Sequence, residues 1–207
     1  MTSPWRPLFV VLDGLDGCGK STQAARLAAR LAREAGTAVR HLREPGGTAL
    51  GEALRALLLA REHAPTPRAE ALLFAAARTQ LLQEVVAPAL SRGEHVVCER
   101  FHASTFAYQA VAGGLPEREV LELLATWAGE PAPTREILLA LTPEQAVARR
   151  GRATDRIEDK GLAFQQAVAR GYARYAELAP RAVVVDAAGS PDAVAELVWQ
   201  EVRRALG

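Results

Sequence analysis

The sequence predicts an α/β fold in which one parallel sheet of about five strands is flanked by helices on both faces. Short apolar runs alternate along the chain with longer segments of helical periodicity, which is the order of elements in a doubly wound domain. The runs are almost continuously apolar, as is typical of parallel strands that are covered on both faces. No internal repeat or low-complexity linker divides the 207 residues, so we expect a single domain over residues 1–207.

The predicted elements follow one another in a regular order. The five strands are residues 8–12, 38–42, 95–98, 137–141 and 182–185. The helices are residues 20–35, 49–60, 68–90, 104–111, 117–127, 143–150, 162–178 and 191–205. Gly36 follows the first helix and Gly93 the long middle one, and Ser190 with Pro191 opens the last. These are residues that favour helix ends and helix starts, respectively.

Composition and charge narrow the class of protein. The 49% hydrophobic and 24% charged residues are typical of a globular domain with one core. A net charge of +1 gives no overall field that would draw the chain to nucleic acid or to a membrane. Two cysteines are too few for a disulfide framework, no apolar stretch is long enough for a membrane helix, and no signal peptide is evident. These features predict a cytoplasmic protein.

A phosphate-binding loop is predicted directly after the first apolar run, over residues 13–22. It contains the pattern G-x-x-x-x-G-K-S, with Gly14, Gly19, Lys20 and Ser21 at the required spacing. The glycines let successive backbone N–H groups point at one anion, and the following helix adds its positive N-terminal end. Lys20 is expected to reach the β- and γ-phosphates of ATP, and Ser21 to ligate Mg²⁺. The predicted contacts to the ATP phosphates are Gly14, Leu15, Asp16, Gly17, Cys18, Gly19, Lys20, Ser21 and Thr22.

The loop predicts binding of a nucleoside triphosphate but not the use that is made of it. A GTP-binding switch reads guanine with an Asn-Lys-x-Asp segment. The only lysines, Lys20 and Lys160, stand in other contexts, so the sequence excludes that class of protein. A kinase needs a second pocket for the acceptor, which in a doubly wound sheet forms at the carboxyl ends of the strands. The candidates are therefore residues 43–48 and 99–109, which follow two strands, and residues 72–78 of the middle helix.

Five segments together have the order and spacing of one known family. They are the loop at 13–22, Arg-Glu-Pro-Gly-Gly-Thr at 43–48, Leu-Leu-Phe-Ala-Ala-Ala-Arg at 72–78, Glu-Arg-Phe with Ser-Thr-x-Ala-Tyr-Gln at 99–109, and Asp-Arg-Ile-Glu at 155–158. With them the chain resembles the thymidylate kinases, a family of P-loop nucleoside monophosphate kinases. The resemblance implies a P-loop NTPase domain that phosphorylates thymidine monophosphate (dTMP), with ATP and Mg²⁺, in the synthesis of dTTP.

The resemblance also implies roles for residues on the acceptor side. Phe74 would stack on the thymine ring, and Arg78, one helical turn further on, would donate to its carbonyl O4. Arg100 would hold the acceptor phosphate with its guanidinium fork, and Asp16 would bind the sugar 3′-hydroxyl. The implied dTMP contacts are Asp16, Glu44, Pro45, Phe74, Arg78, Arg100, Ser104, Tyr108 and Gln109.

A short mobile lid is predicted over about residues 149–160, after the fourth strand and its helix. Four of the eight residues 149–156 are arginines. In nucleoside monophosphate kinases such a lid brings cations to the transferring phosphoryl group and excludes water. Some thymidylate kinases carry an arginine where this chain has Gly17, and the bacterial type, which this chain resembles, supplies it from the lid. The implied catalytic residues are Lys20, Arg100, Arg152, Arg156 and Asp16.

The implied reaction needs no strong general base, because the acceptor oxygen already belongs to a phosphate. Glu99 or Asp13 is expected to orient waters of the Mg²⁺ shell beside Ser21. Two alternatives stay open: a deoxynucleoside kinase that uses Glu44 as the base for a 5′-hydroxyl, and a non-catalytic ATP-binding switch module. The resemblance also implies a homodimer formed through helices near residues 68–90, with small nucleotides as the other partners.

Overall fold

The computed structural model describes residues 5–150 and 160–206, which contain one five-stranded parallel sheet. Strands β1 to β5 are Phe9–Gly14, Val39–Arg43, His95–Glu99, Arg135–Ala140 and Ala182–Asp186. Their order across the sheet is β2-β3-β1-β4-β5, and every neighbouring pair is parallel. The predicted doubly wound sheet is confirmed. Because the connections after β1 and β3 run on opposite faces, the carboxyl ends of these adjacent strands border a crevice.

The helices agree with the predicted segments except at two places. Helices α1 to α9 are Lys20–Ala35, Ala49–Leu59, Pro67–Leu81, Ala87–Ser91, His102–Thr105, Glu117–Ala128, Pro143–Arg150, Gly161–Leu178 and Pro191–Arg204. Two π-helical segments, Leu82–Val86 and Phe106–Val111, continue α3 and α5. The segments predicted over 68–90 and 104–111 are both helical, and each contains a π-helical part that the sequence pattern did not predict. Within the described residues, no helix has the length and apolar character needed to cross a bilayer.

Local sequence accounts for several helix ends. Gly36 ends α1 in a left-handed conformation with a φ of 64°, and its N–H donates to the carbonyl oxygen of Ala32 at 3.1 Å. The Ser190 hydroxyl accepts from the Ala193 N–H at the start of α9, and Pro191 occupies the first turn. The predicted punctuation at these two ends is confirmed.

The core lies on both faces of the sheet. On one face, Leu31 of α1 and Trp199 of α9 pack in a cluster with Val10 of β1. On the other face, Leu82 packs with Phe9 of β1, and a neighbouring cluster joins α6, α8 and the second π-helical segment. The helical segments on this second face carry Phe74, Arg78, Ser104, Tyr108 and Gln109, and the phosphate loop leads into α1 on the first face. The sheet thus holds the two groups of residues on either side of the crevice.

The edge strands are less covered than the continuous apolar runs predict. Val184 in β5 is 58% exposed, and β2 has no fully buried residue. The central strands β1 and β3 are buried almost throughout. The expectation of cover on both faces therefore holds for the centre of the sheet and is wrong for its edges, where the helical layers end.

Candidate active site

The loop between β1 and α1 has the shape that its glycines predict. Gly14, Gly17 and Gly19 have positive φ angles of 139°, 93° and 94°. A Cβ atom on Gly14 would lie 2.6 Å from the carbonyl oxygen of Leu139 in β4, so only glycine fits at this close approach. The loop leads into α1, whose N-terminal end is the favourable end for a phosphate.

The Lys20 side chain is held by the loop itself and is largely buried. Its Nζ donates to the carbonyl oxygens of Gly14 at 2.9 Å and Leu15 at 2.8 Å, and it lies 3.7 Å from Asp16 Oδ1. Leu15 and Cys18 are two of the predicted phosphate contacts, but their side chains pack into the core. The Cys18 N–H donates to the Leu15 carbonyl oxygen at 3.1 Å, and neither residue is among those that line the cleft described below.

Ser21 and Glu99 form an oxygen-rich pair beside the loop. Ser21 Oγ donates to Glu99 Oε2 at 2.5 Å, and His41 Nε2 lies 2.9 Å from Glu99 Oε1. A hydroxyl and a carboxylate are ligands of the kind that Mg²⁺ prefers. Within residues 5–150 and 160–206, no group of three or more His, Cys, Asp or Glu residues could hold a metal ion. This donor set fits a cation that takes most of its ligands from phosphates and water.

Asp13 is a structural carboxylate in the interior. Its Oδ1 accepts from the Gly14 N–H and from the hydroxyls of Ser104 and Tyr172, at 2.7–2.8 Å. Its Oδ2 accepts from the N–H groups of Phe101 and Ser104, each at 3.0 Å. Because these bonds saturate a fully buried carboxylate, the expectation that Asp13 orients metal-bound water is wrong. Asp13 instead ties the phosphate loop to the turn after β3.

The turn after β3 places Arg100 between the two halves of the site. Its guanidinium donates to the Ser104 hydroxyl at 2.9 Å and forms an ion pair with Asp16. The Tyr108 hydroxyl donates to the same carboxylate at 3.1 Å. Burial raises the pKa of Asp16, but Arg100 and Lys20 outweigh it and hold this pKa well below its usual value. The carboxylate is therefore ionised at neutral pH.

Arg78 is a fully buried arginine whose guanidinium is fixed on two of its three nitrogens. Nε donates to Glu44 Oε2 at 2.5 Å, and Nη2 donates to Phe101 O at 3.0 Å and Thr105 Oγ1 at 3.2 Å. Burial raises the pKa of Glu44 to about 7, against the opposing effect of Arg78. Among the residues that the structure describes, Nη1 has no hydrogen-bond partner. Arg78 thus keeps one donor group for a ligand.

The phosphate loop and the acceptor-side residues line one cleft of about 480 Å³. Its lining contains every predicted dTMP contact and most of the predicted phosphate contacts. The predicted residues among them are Asp16, Gly17, Gly19, Lys20, Ser21, Thr22, Glu44, Pro45, Phe74, Arg78, Glu99, Arg100, Ser104, Tyr108 and Gln109. A cleft of this volume suits a small-molecule ligand, and its polar and aromatic lining suits a nucleotide.

Comparisons with known proteins agree with a cleft that binds a nucleotide. The profile of the thymidylate kinase family matches residues 12–198. The chain belongs to the thymidylate kinase family. The thymidylate kinase of Synechococcus sp. (strain JA-3-3Ab) is 44% identical over 200 residues, which cover 96% of this chain and 97% of that relative. The thymidylate kinases of Thermomicrobium roseum and Deinococcus radiodurans are 44% and 42% identical over 202 and 199 residues, with 95% and 96% of those relatives covered.

The lid that the thymidylate kinase resemblance implies lies mostly outside the described residues. Arg152 and Arg156 both fall within residues 151–159, which the structure does not describe. Arg149, at the end of α7, is described, and its guanidinium donates to the carbonyl oxygens of Ala187 at 2.8 Å and Ala188 at 2.9 Å. Arg149 thus links α7 to the loop after β5, and it does not line the cleft.

Two cleft residues on α2 were not predicted from the sequence. Arg55 and Leu59 line the cleft, and Arg55 Nη1 donates to the carbonyl oxygen of Pro45 at 3.1 Å. They are four residues apart on a helix that follows the Pro-Gly-Gly turn, so they share one helix face. This helical spacing beside a predicted site segment is the signal that could have found them.

Two supporting residues were also missed. Thr105 accepts from the buried Arg78, and the Tyr172 hydroxyl, on α8, donates to Asp13 and lies 2.9 Å from Ser104 Oγ. Thr105 lies inside a predicted segment and was within reach of sequence reasoning. Tyr172 is 68 residues from Ser104, and no local pattern marks it.

Proposed function

We propose that this chain transfers the γ-phosphoryl group of ATP to dTMP, which yields ADP and dTDP for the synthesis of dTTP in DNA replication. The observation that carries the proposal is the single cleft in which the phosphate loop meets Phe74, Arg78 and Arg100. A shared cleft lets an acceptor oxygen lie in line with the γ-phosphorus, and this positioning supplies much of the catalysis in kinases. The relatives that are named thymidylate kinase match this chain along almost their whole length, and this match supports the same acceptor.

The acceptor half of the cleft offers a group for each part of dTMP. Phe74 offers an aromatic surface for the thymine ring, and Arg78 Nη1 offers a donor for a ring carbonyl oxygen. Arg100 offers a guanidinium fork for the phosphate, and the ionised Asp16 offers an acceptor for the sugar 3′-hydroxyl. We assign these roles to the four residues in the proposed complex.

The donor half offers the loop N–H groups and Lys20 to the phosphates of ATP. Mg²⁺, held by Ser21 and by Glu99 through water, would supply positive charge beside the β- and γ-phosphates. Lys20 and Arg100 would offset the charge that develops on the transferring group, and no residue has to remove a proton from a phosphate acceptor. We assign Arg152 and Arg156 to the lid that completes this charge and excludes water.

The proposed setting is a cytoplasmic homodimer formed through α3. Leu72 on α3 is 58% exposed and Trp127 on α6 is 69% exposed. The two helices are joined where the Thr79 hydroxyl donates to the Trp127 carbonyl oxygen at 2.8 Å. Large apolar side chains on adjoining helices support an interface there. Two free cysteines, both buried, agree with a reducing compartment.

A screen of acceptors tests the proposal. Purified protein with ATP and Mg²⁺ is offered each common nucleoside monophosphate and also thymidine, and ADP release is measured. We expect dTMP to be the best acceptor and thymidine to be inactive. Activity on thymidine alone would indicate a deoxynucleoside kinase, and the lack of multiple turnover would indicate a binding module. Lys20→Met is the active-site control and should lower the rate by about 10³-fold.

A further inference from the structure

Gln109 in the cleft wall is paired with a buried carboxylate behind it. Glu70 lies in the first turn of α3, and Gln109 lies in the π-helical segment Phe106–Val111. The two residues are 4% and 3% exposed, and Gln109 Nε2 donates to Glu70 Oε2 at 3.1 Å. Gln109 lines the cleft, whereas Glu70 is not part of the lining.

This carboxylate determines the orientation of the Gln109 amide. A carboxylate only accepts hydrogen bonds, so the amide must turn its NH₂ group to Glu70. The carbonyl oxygen then lies on the opposite edge of the amide. Since the two ends of an amide have nearly the same shape, the hydrogen-bond partner alone decides between the two orientations. Glu70 thereby makes Gln109 an acceptor for a ligand in the cleft.

Arg78 supplies the complementary donor. Its Nη1 can only donate, and within residues 5–150 and 160–206 it has no partner, while its other two nitrogens are held in place. The cleft wall therefore offers one fixed donor and one fixed acceptor. Thymine and uracil match this pair with the carbonyl O4 and the N3–H group. Cytosine has the reverse pattern, with an amino group at C4 and an unprotonated N3.

We propose that Glu70 is a positioning residue that sets the base specificity of the acceptor site. By fixing Gln109 as an acceptor, it makes the cleft bind thymine or uracil and reject cytosine. The inference rests on the proposed function, since it concerns the base of the same acceptor. A site that is built to hydrogen-bond its ligand discriminates strongly against one that leaves its buried polar groups unpaired.

The Glu70→Gln variant tests this role, because an amide replaces the carboxylate with almost the same shape. An amide can accept from Gln109 or donate to it, so Gln109 can turn either end to the cleft. We expect the ratio of kcat/KM for dTMP to kcat/KM for dCMP to fall by about tenfold or more, which is the size of one unpaired buried hydrogen bond. If Glu70 only stabilised the fold, both values would fall by the same factor. An unchanged ratio would overturn the proposal.

The exchanged pair, Glu70→Gln with Gln109→Glu, keeps a hydrogen bond in the interior and restores an acceptor to the cleft. We expect the double variant to recover most of the preference for dTMP over dCMP, and a ratio no better than that of Glu70→Gln would count against the proposal. The matched control is Glu84→Gln. Glu84 is exposed and accepts from Gln80 Nε2 at 2.7 Å, so its replacement should leave the ratio unchanged.

Binding of the nucleosides separates this inference from the proposed function. Calorimetry with thymidine and deoxycytidine measures base recognition without phosphoryl transfer. Wild-type protein should prefer thymidine, and Glu70→Gln should lose most of that preference; a preference that survives the substitution would reject the role of Glu70. A wild-type protein that binds thymidine selectively but does not phosphorylate dTMP would reject the proposed function and leave the role of Glu70 supported.

Discussion

At the scale of single residues, Arg100 shows how the interior prepares the site. Its φ of 67° is uncommon for a residue with a side chain. Such conformations persist only where the surroundings over-determine them. Here Asp13 accepts from the N–H groups of Phe101 and Ser104, which lie one and four residues after Arg100. The buried carboxylate thus holds the turn, and the turn holds the guanidinium beside Asp16.

We expect Arg100→Lys to lower kcat/KM for dTMP by about 10²-fold or more, because an ammonium lacks the fork that binds two phosphate oxygens. Steady-state kinetics with varied dTMP and saturating ATP measure the change. Arg118→Lys is the control, since Arg118 pairs with Glu122 on the exposed surface of α6 and should keep wild-type kinetics. A loss of less than about twofold at position 100 would contradict the role of Arg100 as phosphate clamp.

Glu136 in β4 is a buried acid that the proposed reaction does not use. Both of its oxygens lie within 3.1–3.2 Å of the donating Tyr175 hydroxyl. Burial raises the pKa of Glu136 from 4.5 to about 7, against the opposing hydrogen bond from Tyr175. Since the folded pKa lies above the unfolded value, the folded protein binds the proton more tightly. The resulting stability is fully present below the unfolded pKa and is lost as pH rises through the folded one.

Glu136→Gln removes this titration and keeps an acceptor for Tyr175. We compare the free energy of unfolding of the variant with that of wild type at two pH values. The variant's value minus the wild-type value should be about 2 kcal/mol higher at about pH 8.5 than at about pH 5.5, because wild type loses stability over this range. Urea titrations at the two pH values measure it. Glu122→Gln, at an exposed position, should show no such change. If the difference in free energy of unfolding between Glu136→Gln and wild type did not vary with pH, Glu136 would be ionised throughout this range, and the raised pKa would be contradicted.

At the scale of elements, the π-helical segment Phe106–Val111 carries Tyr108 and Gln109 into the cleft, and α8 packs closely on it. A Cβ atom on Gly171 of α8 would lie 2.6 Å from the Cα atom of Ala107. Helix α8 therefore approaches this segment backbone to backbone, and the next residue, Tyr172, reaches Asp13. The close approach is a condition for the geometry of the site.

Gly171→Ala is expected to destabilise the protein although it raises helix propensity. Alanine in place of glycine favours a helix by roughly 1 kcal/mol, but overpacking against a backbone costs typically about 1–3 kcal/mol. We expect a lower free energy of unfolding and a raised KM for dTMP, because the segment with Tyr108 and Gln109 must shift. Urea titration and steady-state kinetics measure these. Ala173→Gly, at an exposed position of α8, should cost helix propensity and leave KM unchanged. A more stable Gly171→Ala would contradict the packing argument.

The break in the long middle helix had a signal in the sequence. Pro88 has no N–H, and its ring clashes with the carbonyl group four residues earlier in a regular α-helix. The helix changes to π-winding over Leu82–Val86, which ends two residues before this proline. The apolar periodicity of residues 68–90 predicts the helix but averages over its winding. The second π-helical segment follows α5 without a proline, and no residue in its sequence predicted it.

At the scale of the whole molecule, the proposed homodimer predicts that a charge on α3 disrupts the dimer and that a charge on α9 does not. Leu72→Glu would place a charge in both halves of an α3 interface and should shift the protein to monomers. Size-exclusion chromatography with light scattering measures the mass. Leu197→Glu is the matched control, because Leu197 is an exposed leucine on α9 and its replacement should leave the dimer intact. A dimer that withstands Leu72→Glu would locate the interface elsewhere.

The sequence by itself determined the features that are encoded locally. Apolar runs and helical periodicity predicted the strands, the helical segments and the doubly wound class. The spacing of Gly14, Gly19 and Lys20 predicted the phosphate loop, and short motifs around Phe74 and Arg100 predicted the acceptor side. The strands, the helical segments and the fold class are confirmed, and the roles of the site residues stay predictions. The confirmed features each depend on residues within a few turns of chain, where steric and hydrogen-bonding rules act directly.

Only the tertiary structure decided how these pieces meet. It set the strand order β2-β3-β1-β4-β5, the tie of Asp13 to Tyr172, and the pairing of Glu70 with Gln109. The last two contacts join residues 159 and 39 positions apart. Contacts over such separations depend on how helices pack on both faces of the sheet, and hydrophobic burial is not directional enough for a local pattern to specify them.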